Sequence, residues 1–123
     1  MLVNLKSYRP WLVLFYLITM FSNSMFSFID VSIKDIWKYD KFIHFIEYFI
    51  FGVLLFHALY EKPISNKYLF LSLLVMSTVP ILDESIQYFT PHRIPSIYDG
   101  VADYSGLYLG CFLYHFISKT SNG

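Results

Sequence analysis

Four long apolar runs constrain this chain more than any other feature. They cover residues 10–29, 42–60, 68–89 and 98–118. Each is close to the ~20 residues that a helix needs to cross ~30 Å of hydrocarbon. None shows the strict alternation of a membrane barrel strand, and single strands cannot satisfy their backbone in lipid, so the runs predict helices. Charged residues make up 15% of the 123-residue chain, against about 25% in soluble domains. The expected fold is therefore all-α, one domain, a four-helix transmembrane bundle.

Nine Lys and Arg balance nine Asp and Glu, which gives no electrostatic reason to expect a nucleic-acid partner. Cys111 is the one cysteine, so no intrachain disulfide can form. Lys6 and Arg9 ahead of the first run, with Ser22-Asn23-Ser24 inside it as a small-residue cleavage site, resemble a signal peptide. The run is long for that role and three more follow, so it reads as a first span. The linker before the second run carries Lys34, Asp35, Lys38 and Asp40, spaced as a short amphipathic helix at the interface.

The polar residues are not spread evenly. Asp40, Lys41, His44 and Glu47 open the second run, Asp83, Glu84 and Gln87 close the third, and Arg93, Asp99 and Asp103 precede or open the fourth. In an up-and-down bundle these positions share one membrane face whichever way the chain is inserted. Asp40, His44 and Glu47 fall on one helical face, as do Asp83 with Gln87 and Asp99 with Asp103. Gly106 and Gly110 continue the last stripe, with the spacing that lets another helix approach closely. That pair predicts a close neighbour within the bundle or a contact between copies of the chain. Lys6, Arg9, Lys62, Lys67 and Lys119 lie on the side of the termini, against Lys34, Lys38, Lys41 and Arg93 opposite, a slight bias toward cytoplasmic termini.

At these positions the chain resembles the VanZ-like family of small bacterial membrane proteins. The resemblance lies in Asp40-Lys41-x-x-His44-Phe45-x-x-Tyr48, in Asp83-Glu84-x-x-Gln87-x-Phe89-x-Pro91-x-Arg93, and in Ser96-x-x-Asp99-x-x-x-Asp103-x-x-Gly106-x-x-x-Gly110. These blocks cover about residues 40–110. His92 stands where the family often has glycine, and Asp103 where it often has asparagine. The resemblance implies about four helices in a bacterial cytoplasmic membrane. It also implies a link to glycopeptide resistance, since the family takes its name from a protein tied to reduced sensitivity to teicoplanin, a lipid-tailed glycopeptide.

Ionisable residues at such a site suggest function. Asp83, Glu84, Asp99 and Asp103 suit Mg²⁺ or another hard divalent cation. The same carboxylates also fit an ion-pair network neutralised by Lys41 and Arg93. Asp99 has a further structural role open to it, at a helix N-terminus. Arg93 suits a phosphate or carboxylate of a ligand, or an internal acid. His44 and Glu47 fit a proton-transfer pair or half a metal site, or His44 bonds across the bundle to Glu84 or Asp99. His57 and His115 lie near the far face, which argues against zinc or iron.

The leading expectation is an envelope protein in the lipid bilayer. Its polar face would bind an anionic lipid headgroup, a cell-wall precursor or a lipid-tailed glycopeptide. Lys41, His44, Glu47, Asp83, Glu84, Gln87, Arg93, Asp99 and Asp103 would form the site. The alternatives are a metal-assisted enzyme acting on an envelope lipid phosphate, and a small transporter. The sequence has no serine elbow and no glycine-rich phosphate loop, and the far halves of the runs offer little polar path beyond His57 and His115.

Overall fold

A computed structural model of the chain describes residues 5–24, 33–90 and 97–121, with 33–40 and 121 described by backbone alone. The described residues are helical and contain no strand. The helices are α1 (Arg9–Ser24), α2 (Ile33–Leu59), α3 (Asn66–Met76), α4 (Val79–Phe89) and α5 (Ile97–Ser121).

The expected short interfacial helix before the second run is not separate: α2 begins at Ile33 and continues through it. The third run, expected as one helix, is divided at Ser77 and Thr78. Pro80 explains the division. It has no N–H to reach the carbonyl four residues back, and its ring crowds that carbonyl. The two pieces are stitched by α5. The Tyr104 hydroxyl donates to the Ser77 carbonyl at 2.7 Å, and Tyr108 meets the Ser77 hydroxyl at 2.8 Å. Tyr104 and Tyr108 are one helical turn apart, so a single face of α5 serves the break.

The most extensive contact joins α2 and α5. Their cross-links keep an offset of 55 to 59 residues along both helices: Lys41 to Asp99, His44 to Asp103, Cys111 to Gly52, His57 to Tyr114, and Tyr60 to His115. A constant offset means that the helices run parallel. The chain must therefore travel back between them, and α3 and α4 do so, with Ser77 against Tyr104 and Tyr108 midway along α5. Helix α1 runs opposite to α2, since Arg9 donates to the His57 carbonyl at 2.9 Å and Tyr16 to the Glu47 carbonyl at 2.7 Å.

Glycine makes the parallel pairing possible. A Cβ on Gly106 would strike the Phe45 carbonyl, one on Gly110 the Phe49 carbonyl, and one on Gly52 the Leu107 carbonyl. Backbone thus lies against backbone. Of the two contacts expected from Gly106 and Gly110, the one inside the chain is formed. Helix α2 lies against both glycines.

Tyr48, Phe51, Leu55, Leu107 and Cys111 are buried at the core. Large apolar side chains also cover the outside: Phe15, Phe70, Val75, Phe112 and Phe116 are each at least 60% exposed. Such an exterior is unfavourable in water and ordinary in lipid.

Candidate functional site

The parallel pairing places Lys41 and His44, beyond the first two turns of α2, beside the first turns of α5, and the antiparallel return brings the end of α4 to the same place. Six polar side chains are buried among the described residues: Ser24, His44, Asp83, Gln87, Asp99 and Asp103. All come from this end. Buried carboxylates are costly unless they are paired and hydrogen-bonded, so their partners define the site.

Asp99 Oδ1 lies 3.0 Å from Lys41 Nζ, with Asp99 1% and Lys41 38% exposed. The ammonium caps the buried acid and still reaches solvent. One turn deeper, Asp103 Oδ1 meets His44 Nδ1 at 2.8 Å. This corrects the partner expected for His44, which was Glu84 or Asp99: the parallel register sets His44 opposite Asp103. Asp83 accepts from two hydroxyls, Ser24 Oγ and Tyr48 Oη, the latter at 3.1 Å. Gln87, one turn from Asp83 on the same face of α4, is 2% exposed.

Glu47 separates from His44. Asn23 of α1 donates to its carboxylate at 3.1 Å, whereas His44 turns to α5. Glu84 is half-buried and lines a groove of about 430 Å³ between α4 and α5, with Pro80, Ile81, Ser85, Ile97, Gly100 and Tyr104. Arg93 lies outside the described residues, as does the side chain of Asp40.

Two members of the site were not singled out from sequence. Ser24 resembled part of a cleavage signal, yet it bonds Asp83. Tyr48 carried a usable signal: Lys41, His44 and Tyr48 fall at i, i+3, i+7, the stripe that α2 turns inward. Glu47, of the expected Asp40, His44, Glu47 stripe, turns to Asn23 of α1 instead.

One donor atom each from His44, Asp83 and Asp103 can be chosen so that all lie within 4.8 Å of one another. Asp103 Oδ2 and Gln87 Nε2 are buried without a hydrogen-bond partner among the described residues. The expectation against zinc or iron rested on the distant histidines and on the lack of a second motif matching His44 and Glu47, whereas this set joins one histidine to two carboxylates.

The sequence matches the model of the VanZ/LLP1 family over residues 2–118. The chain belongs to the VanZ/LLP1 family. The match extends beyond the motif blocks to include α1 and most of α5. No curated protein and no solved structure matches the chain. Within this VanZ/LLP1 protein, Lys41–Leu59 and Asn66–Phe89 are long and apolar enough to cross a membrane. Family, helices and apolar exterior together make it a membrane protein.

Proposed function

We propose that this VanZ/LLP1 chain is a multi-pass protein of the bacterial cytoplasmic membrane. Its polar end binds the anionic head of an amphipathic envelope molecule. Helix α1, helix α2, the divided α3–α4 segment and α5 are its four spans, with cytoplasmic termini. The ligand class takes in lipid headgroups, lipid-linked cell-wall precursors and lipid-tailed glycopeptides, which share an apolar tail and a polar head. Binding the last two would lower sensitivity to teicoplanin.

The observation that carries this reading is the Lys41–Asp99 pair. A half-exposed ammonium over a fully buried carboxylate can exchange toward an anionic head while its aliphatic stem stays in place. The groove between α4 and α5 is lined by Pro80, Ile81, Glu84, Ser85, Ile97, Gly100 and Tyr104.

The test is teicoplanin sensitivity in a strain where the wild-type chain alters it, together with retention of fluorescent anionic lipid by the purified protein. Lys41→Ala, Asp99→Ala and Arg93→Ala, each expressed at wild-type level, are expected to restore sensitivity and release the lipid. Unchanged sensitivity and unchanged lipid retention in all three would contradict the reading.

A further inference from the structure

We infer that His44, Asp83 and Asp103 are the protein ligands of a divalent transition-metal ion, of the Zn²⁺ or Mn²⁺ class, held beneath the Lys41–Asp99 pair. The inference stands on the buried triad and is independent of what the polar end binds.

Geometry is the first support. Metal bonds of about 2.0–2.2 Å keep two donors on one ion within about 4.4 Å of each other. The three donors are already within 4.8 Å, so a small rotamer adjustment closes the set. His44 Nδ1 and Asp103 Oδ1, at 2.8 Å, stand near the separation of neighbouring ligands. All three side chains are at least 97% buried and come from three helices, so the backbone fixes their approach.

The unpartnered atoms are the second support, and they are independent of the triad's spacing. Gln87 is 2% exposed and its Nε2 has no hydrogen-bond partner among the described residues. It lies on the inward face of α4, one turn from Asp83, which that face delivers to Tyr48. Asp103 Oδ2 is equally unsatisfied. Each such atom costs about 1–3 kcal/mol if nothing meets it. An ion taking both oxygens of Asp103, with a water at its open position accepting from Gln87, satisfies both.

Charge is the third support. The cluster buries the carboxyl groups of Asp83, Asp99 and Asp103. Lys41 answers Asp99, while Asp83 has only hydroxyl donors among the described residues and a His44 that ligates a metal is neutral. A metal cation would offset the charge of the buried carboxylates. Imidazole with two carboxylates suits zinc, manganese or iron rather than magnesium or calcium, which prefer all-oxygen sets. Ser24 and Tyr48 would orient Asp83 from outside the coordination shell.

Cobalt(II), which reports its ligands by visible absorption, is the probe. The full chain in lipid nanodiscs, stripped with chelator, is titrated with Co²⁺ alone. The expected result is saturation at one ion per chain, displacement by Zn²⁺, and no displacement by Mg²⁺ at a hundredfold excess. His44→Gln and Asp103→Asn should each bind at least tenfold more weakly. Asp103→Glu, which keeps the charge and guards against a fold defect in the others, should shift the bands. His115→Gln, at the opposite end, should leave them unchanged. A folded wild-type protein with no cobalt bands would overturn the inference, as would bands that are identical in folded His44→Gln and Asp103→Glu.

Discussion

Asp103 and His44 face each other across the α2–α5 interface, 2.8 Å apart and both at least 97% buried. Their meeting depends on helices that run parallel and on glycines that let them approach. Phe45, next to His44, has its carbonyl against Gly106, three residues after Asp103. Packing and polar chemistry are therefore one structure in this protein, and each can be tested through the other.

Gly106→Ala and Gly110→Ala should each destabilise the protein. The new methyl meets a backbone carbonyl that cannot rotate aside, and overpacking of this kind costs about 1–3 kcal/mol. Gly100→Ala meets nothing within 4 Å and should be neutral or stabilising by up to about 1 kcal/mol, the gain in helix propensity. Unfolding in mixed detergent micelles measures all three.

Tyr104→Phe should cost about 1–2 kcal/mol, because the Ser77 carbonyl loses its donor at the break. Pro80→Ala restores a backbone N–H to α4 and lets the two helices fuse. In the double variant the loss from Tyr104→Phe should shrink. A double-mutant cycle showing strict additivity would remove the link between Pro80 and Tyr104.

Lys41→Met leaves Asp99 buried without its ammonium, a loss of about 1–3 kcal/mol, the cost of a buried acceptor that loses its donor. Adding Asp99→Asn should recover part of it, since an amide tolerates burial better than a charge. Thermal unfolding in nanodiscs would show whether the second change rescues the first.

Tyr48→Phe and Asp83→Leu illustrate the same asymmetry without a full charge pair. Tyr48→Phe removes one of two donors to Asp83 and should cost about 1–2 kcal/mol. In an Asp83→Leu background that cost should fall toward zero, because the hydroxyl then has no carboxylate to serve.

Much of this arrangement was legible before any coordinates. Run lengths point to helices, though the third run divides into α3 and α4, and Lys41, His44, Asp83, Gln87, Asp99 and Asp103 stand at run ends, the positions an up-and-down bundle brings together. The rotation of α2 was harder to read. Asp40, His44 and Glu47 share a face as well as Lys41, His44 and Tyr48 do, and only packing against Gly106 and Gly110 chooses between them. Pro80 was a visible signal inside the third run and marks where that helix divides. Ser24 gave no local hint, since a small polar residue at a helix end fits many roles and its partner is 59 positions away.

Side-specific thiol labelling tests the central claim most directly: polar residues from α2, α4 and α5 gather at one water-facing end of a membrane bundle. In a Cys111→Ser background, single cysteines at Lys41 and Tyr98 should react with a membrane-impermeant maleimide from one side of the bilayer. Cysteines at Lys62 and Lys119 should react only from the other. Labelling of the Lys41 and Lys62 positions from the same side would contradict the account.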